Sequence, residues 1–428
     1  MKLDNSLSWL KRAKNVIPSA SQTYSKSFRY FCEGQAPAFL DRGEGAHIWD
    51  VDGNEFIDFV LGLGPVSVGY NHPKINQVIK DQLKKGISFS QPHPLEVELA
   101  EKLVEIIPCA EMVRFVKNGS DATAAAIRLA RAFTGCEMIA YCGYHGFHDW
   151  FIGATSNNQG VPKAVCNLIK PFEYNNLDSL KTVFEQYDGE IAAVIMEPVG
   201  LVLPQDNFLH KVKKLARENG SVLIFDEVVT GFRLSLGGAQ EFYNVTPDLA
   251  TFGKGMANGM PLSAVVGCRD IMRLLDEGTF VSLTFGGETL SLAAALETIS
   301  IFEQKESCKH LWRLGEKWLK EVSSLIDEKN LSSVVNTAGL APHSGIVFKE
   351  FNGNSALDWL SLYQQEMIKQ GILTLGINNY CLDHSEEDIE KCIMAVDKAL
   401  DKISMAADDG KVDPFLKGGK IHPIFERN

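Results

Sequence analysis

The sequence predicts an α/β protein in which a large unit, a mostly parallel sheet flanked by helices, is followed by a smaller α+β unit. Two observations carry this. Short apolar runs alternate with helix-period segments across residues 62–305, as expected for strands buried on both faces of a parallel sheet. Several runs end on glycine-rich or polar turns, the place where such sheets bind ligands.

In chain order, residues 5–16 carry Leu7, Leu10 and Ala13 at helical spacing and stop before Pro18. Residues 19–30 form a polar, aromatic loop. Residues 46–59 alternate about Asp52-Gly53, predicting a hairpin with a type I′ turn. The large unit follows with helix 95–107, strand 112–116, helix 121–133, strand 138–142, helix 177–187, strand 192–196, helix 208–219 and strand 221–225. A helix at 288–302, extending towards Gln304, leads out of it. The smaller unit has helices 311–326, 356–370 and 386–403 with short strands near Ile346 and Ile372, and residues 406–428 mix Gly, Pro and charge as a loosely docked arm. The expected division is 1–61, 62–305 and 306–428, the first segment packing with the last.

Composition narrows the function. With 428 residues, 45% hydrophobic and 22% charged, the chain can bury a large core. A net charge of -12 without a basic cluster argues against nucleic acid as a partner. No apolar run is long enough to span a membrane and residues 1–17 are charged throughout, so a cytoplasmic protein is expected. The 9 cysteines are scattered without C-x-x-C spacing, which suits reduced thiols. His145 and His148 lack further ligands in a recognisable pattern, so no metal is expected.

Strand 221–225 closes on Asp226 and Glu227, and Lys254 sits between Gly253 and Gly255. A lysine amine among small residues can attack an aldehyde, and a carboxylate at a strand end can pair with a pyridine nitrogen; pyridoxal phosphate (PLP) needs both. The alternative is a turn-capping aspartate and a solvated lysine. Lys117-Asn118-Gly119-Ser120 lies between a strand and a helix, where amide N–H groups and the helix dipole favour an anion such as phosphate, or where Asn118 or Ser120 is an ordinary cap.

The segments FDEVVTGFR, TFGKGMANGMPLSAVVG, FVKNGSDATAAAIRLARAFTG and WDVDGNEFIDF resemble the class-III, fold-type-I PLP-dependent aminotransferases, particularly the branch around glutamate-1-semialdehyde 2,1-aminomutase. The resemblance runs through nearly the whole chain and weakens towards the C-terminus. It implies that Lys254 forms the imine with PLP and then acts as the proton carrier, and that Asp226 partners the ring nitrogen. It further implies that Gly119 and Ser120 hold the phosphate, that Tyr144 stacks on the ring, and that Thr284 reaches the cofactor of a neighbouring subunit in a homodimer with shared sites. Arg29, His145 and Glu197 are candidates for the substrate region. The structural alternatives are a surface arginine packed on its aromatic neighbours for Arg29 and a buried acid paired with an arginine for Glu197.

The chain departs from the pattern in three places. Gly-Thr-Glu of the mutase branch is Gly119-Ser120-Asp121 here, and the common Gly-Asn-Pro is Gly287-Glu288-Thr289. A Phe-Glu-Ala-Gly-Phe segment, whose glutamate lines the mutase substrate site, aligns with Leu375-Gly376-Ile377-Asn378-Asn379. Losing that carboxylate favours intermolecular aminotransfer from an amino donor to a keto acid or a keto- or aldehyde-sugar-like acceptor, with space beside Asn378 and Asn379 for a larger polar substrate. The aminomutase is the alternative. A non-catalytic binding protein is disfavoured because Lys254, Asp226, Gly119, Ser120 and Tyr144 occur together, and a nicotinamide enzyme because Gly62 and Gly64 do not continue into G-x-G-x-x-G.

Overall fold

Seven strands form one sheet in the order Met112–Val116, Ser263–Gly267, Leu249–Phe252, Val222–Asp226, Ile191–Met196, Met138–Cys142 and Ile169–Pro171. Ser263–Gly267 runs antiparallel to both neighbours and every other pairing is parallel. The structure, a computed structural model, describes residues 1–422. They divide into a unit of residues 73–308, which holds this sheet, and a unit of residues 1–72 with those from 309 onward.

Buried Val, Ile and Ala on the strands explain the run-like sequence, since both faces are covered. Helix Gly119–Thr134 packs on the sheet through Ala122, Ala125, Ala126, Leu129 and Ala130, small residues that let its backbone lie close to Ile139, Ala193 and Ile224. It begins at Gly119, ahead of the expected 121, because Asp121 accepts the Asn118 N–H at 2.9 Å and closes the first turn. Strands Leu249–Phe252 and Ser263–Gly267 are absent from the sequence-based outline.

In the other unit the hairpin pairs His47–Asp50 with Glu55–Asp58. Its turn differs from the expected type I′: only Gly53, at φ +86°, has positive φ, and Gly53 N–H donates to Asp50 O at 3.1 Å. Asp50 draws the loop together by accepting the N–H groups of Asp52 and Asn54, at 2.9 and 2.8 Å. Asp52 is thereby free to cap helix Asp4–Val16, accepting Asn5 N–H and Ser6 N–H at 2.8 Å each. Glu55–Asp58 also pairs in parallel with Ile372–Leu373, which joins the N-terminal segment to the C-terminal one within this unit.

Strands Val335–Leu340, His343–Phe348 and Ile377–Asn379 make a separate antiparallel sheet. The expected loose arm is instead helical to Asp409 and, as far as residue 422, docked on helix Ala356–Lys369. Lys420 pairs with Asp358 and Asp413 at 2.6 Å each, Ile421 N–H donates to Ser361 Oγ at 3.0 Å, and Ile421 is buried. The rest of that arm, 423–428, lies outside the described residues.

A histidine sealed in this unit makes its stability pH-dependent. His384 stacks on Phe59, centroids 4.7 Å apart, and its Nδ1 accepts the Cys381 N–H at 3.1 Å, which places the proton on an Nε2 with no acceptor. Burial pushes its pKa down to about 4, against the opposing pull of Asp388. The unfolded chain therefore binds the proton first, and stability falls as pH drops from about 6.5 towards 4. His47, bridging Asp388 and Glu55 at 3.2 and 2.8 Å, has a raised pKa for its hydrogen bond to Asp388 and acts in the opposite sense, its contribution being lost as pH rises. Urea unfolding between pH 7 and pH 5 should show His384→Gln losing roughly 2 kcal/mol less than wild type, about 1.4 kcal/mol per pH unit being the ceiling for one proton. Equal acid losses in the two proteins would rule out His384 as the source.

Candidate active site

The central strand Val222–Asp226 is buried along its length and delivers Asp226, 5% exposed, at its C-terminal end. A carboxylate so withdrawn from water needs donors, and three are supplied. His145 Nδ1 lies 2.8 Å from Oδ2, while Thr251 Oγ1 and Val228 N–H donate to Oδ1 at 3.1 and 3.2 Å. The other ring nitrogen of His145 lies 3.1 Å from Cys142 O. Each ring nitrogen thus faces an oxygen of the protein, which leaves neither for a substrate. His145 is 2% exposed, wedged against Trp150 and Phe151. It stands behind the carboxylate, and the expected substrate contact at His145 is replaced by this supporting role.

Glu227 is fully buried and points elsewhere. It accepts Thr230 Oγ1 and Ala239 N–H at 2.6 Å and Gln240 N–H at 2.9 Å, pinning the turn after Gly238. Burial raises its pKa and these hydrogen bonds oppose the rise. Neither this anchor nor Thr251 was assigned from sequence; a buried acid directly after the strand-end aspartate was the available signal.

Lys254 follows strand Leu249–Phe252, whose Thr251 holds Asp226, after a single glycine. Its φ is +40°, in the left-handed region that a lysine enters at a cost of about 1–3 kcal/mol. The preceding glycine is closely packed: a Cβ on Gly253 would lie 2.6 Å from Ser263 Oγ.

The turn at residues 143–147 is locked onto the first turn of helix Gly119–Thr134. Thr123 Oγ1 donates to His145 O at 2.8 Å and Phe147 N–H donates to Ser120 Oγ at 3.2 Å. Gly146, at φ +106°, leaves no room for a side chain, which would run into Ser120. Gly119 and Ser120 open a 16-residue helix, so helix geometry provides no intrahelical acceptor for their N–H groups. Tyr144 packs edge-on to Phe151 at 5.4 Å and stays 37% exposed, its N–H donating to Glu197 Oε1 at 3.0 Å. Glu197 thus holds the turn that carries Tyr144.

Lys254, Asp226, Tyr144, Gly119 and Ser120 are thus carried by one interlocked set of turns in the 73–308 unit. An amine, a sealed carboxylate, an aromatic face and the N-terminal end of a helix are the groups that would suit the aldehyde, ring nitrogen, ring and phosphate of PLP. Thr284 lies in the same unit on an exposed turn between Phe280 and Phe285. Arg29 belongs to the other unit, on the turn Phe28–Tyr30, where it lines a cleft of about 1030 Å³ with Lys14, Lys420 and His422.

Comparison with known proteins agrees with this chemistry. The family described as Aminotransferase class-III matches residues 31–379. A 3-aminobutyryl-CoA aminotransferase of Cloacimonas acidaminovorans is 36% identical over 412 residues, covering 94% of this chain and 98% of the relative. A glutamate-1-semialdehyde 2,1-aminomutase of Alkaliphilus oremlandii is 36% identical over 425 residues, covering 92% and 98%. The solved FumI protein of Sphingopyxis sp. MTA144, in its PLP internal aldimine form, superposes with a TM-score of 0.87 at 27% identity, over 96% of this chain and 99% of that one. Strand order, site chemistry and similarity along almost the whole length converge: the chain belongs to the class-III aminotransferases, PLP-dependent enzymes of fold type I.

Proposed function

We propose that the protein catalyses intermolecular aminotransfer, taking the amino group of one substrate and delivering it to the carbonyl carbon of a second. Bound PLP would supply an aldehyde for the amine and a protonated ring that withdraws electrons from the carbon beside it. Lys254 Nζ would hold the cofactor and, when free, would remove and return the proton at the substrate carbon. Asp226 keeps the ring nitrogen protonated, and His145 and Thr251 hold that carboxylate in place. Tyr144 supports the ring face, positioned through Glu197, while Gly119 and Ser120 bind the phosphate. Borohydride reduction followed by peptide mass spectrometry should find the pyridoxyl group on Lys254. In Lys254→Ala both the label and turnover should fall by at least about 10³-fold; a label on another lysine would defeat the assignment.

The observation that carries the choice between transaminase and aminomutase is Gly376. It has φ +87°, its N–H donates to Thr374 Oγ1 at 3.0 Å, its carbonyl accepts Ile346 N–H at 2.8 Å, and a Cβ there would stand 2.8 Å from Leu360 Cδ1. A glutamate of the kind the mutase branch carries in the aligned segment would be strained on this backbone. The space expected beside Asn378 and Asn379 is filled by the protein itself. Both are buried, with Asn379 Nδ2 donating to Val60 O at 3.2 Å and its Oδ1 lying 3.1 Å from His343 Nδ1. A sugar-like acceptor consequently keeps no support from these two residues. A panel of 2-oxo acids, keto sugars and 3-oxoacyl thioesters tests the acceptor, the last because one relative is named for a 3-aminobutyryl-CoA substrate. Glutamate-1-semialdehyde supplied alone should give no 5-aminolevulinate; formation at an ordinary enzymatic rate, above about 1 s⁻¹, would reverse the choice in favour of the mutase.

The active form is proposed to be a cytoplasmic homodimer in which Thr284 reaches the neighbour's cofactor. Phe280 and Phe285, 74% and 60% exposed on either side of Thr284, are large apolar side chains that an interface would cover. Among the described residues no helix is long and apolar enough to cross a membrane. Light scattering across a dilution series should show activity lost as the dimer dissociates, and a fully active monomer would contradict the shared site.

A further inference from the structure

Lys117 and Glu288 have no part in the chemistry above, yet they join two of its loops. Lys117 immediately precedes Asn118-Gly119-Ser120 at the end of strand Met112–Val116. Glu288 closes the turn that contains Thr284 and opens helix Thr289–Gln304. Lys117 Nζ and Glu288 Oε1 are 2.9 Å apart, and their side chains are only 14% and 11% exposed. The same carboxylate caps the helix, accepting Leu290 N–H at 3.0 Å and Ser291 N–H at 3.1 Å. This glutamate stands where the related pattern has the asparagine of Gly-Asn-Pro, so it fills the capping position and adds a charge.

Close contacts fix the turn around this pair. A Cβ on Gly286 would lie 3.2 Å from Phe115 O, and one on Gly287 would run into the Glu96 carboxylate. Thr289 N–H donates to Ile87 O at 2.9 Å. Burial pushes the Glu288 pKa up, but the hydrogen bonds from Ser291 and Lys117 hold it below the usual value, so this carboxylate is charged at neutral pH. A pair this withdrawn from water escapes most salt screening, and removing one partner strands the other charge in a poorly hydrated place.

We propose that the Lys117–Glu288 ion pair is a positioning device for the cofactor phosphate, holding the turn that carries Thr284 in register with the loop that carries Gly119 and Ser120. The inference rests on the assignment of those three residues to the phosphate. Neither Lys117 nor Glu288 need touch the ligand; the pair ties the phosphate groups that a subunit keeps for itself to the one it lends to its neighbour.

The test is the dissociation constant of PLP, measured by fluorescence titration of resolved full-length apoprotein. Glu288→Gln retains an oxygen to cap the helix but loses the charge. It should weaken PLP binding at least about 10-fold, as should Lys117→Met, while Lys117→Arg, which keeps the charge, should stay within about 3-fold of wild type. Urea unfolding of each apoprotein accompanies the titration. Glu288→Gln and Lys117→Met binding PLP like wild type would overturn the pairing role, as would a lowered unfolding midpoint with PLP affinity intact, since the pair would then be structural only. These outcomes leave the phosphate assignment standing if Ser120→Ala still weakens PLP, whereas wild type that fails to bind PLP would overturn assignment and pairing together.

Discussion

The site depends on satisfying one carboxylate inside the protein. Asp226 sits at the end of a buried strand, where a carboxylate without hydrogen-bond donors would destabilise the fold. His145, Thr251 and the Val228 N–H meet it there, and each arrives from a different part of the chain. Once those three are placed, most of the site follows. His145 fixes the turn that bears Tyr144 and locks onto Ser120, and Thr251 lies three residues before Lys254. The polar network is satisfied on every side, so it specifies one arrangement.

Strain and close packing supply the rest. Lys254 in the left-handed region, Gly146 pressed on Ser120 and Gly253 pressed on Ser263 show backbone segments brought nearer than ordinary side chains allow. Such contacts are tolerable because the sheet beneath is rigid, its strands covered on both faces by apolar side chains. In the other unit Gly376, at φ +87°, takes a conformation that a residue with a side chain enters only under strain.

Local electrostatics organise the loops in a comparable way. Asp52 caps the N-terminal helix from within a hairpin turn, Asp121 closes the helix that starts at Gly119, and Glu288 caps another while pairing with Lys117. Each carboxylate serves two segments at once. Charges near helix starts are modest individually, but placed between loops they decide how those loops meet.

Much of this was legible in the sequence because it depends on local pattern. The strand 112–116, the helix from Phe208 and the helix from Ala356 follow from hydrophobic period and end signals, which act over a few residues. Small neighbours and a strand end made Lys254 and Asp226 candidates, and the resemblance carried by FDEVVTGFR and TFGKGMANGMPLSAVVG gave them their roles. The tertiary structure alone decided what long-range contacts control. His145 proved to be a support for Asp226, Glu197 a clamp on Tyr144, Asn378 and Asn379 interior residues, and the residues up to 422 a docked segment. The hairpin at Asp52-Gly53 took a different turn, drawn together by Asp50, and its Asp52 caps a helix some 46 residues away in sequence. A side chain's role in such cases is set by which partner reaches its hydrogen-bonding atoms first, and that partner is chosen by how the chain packs, which no local pattern records.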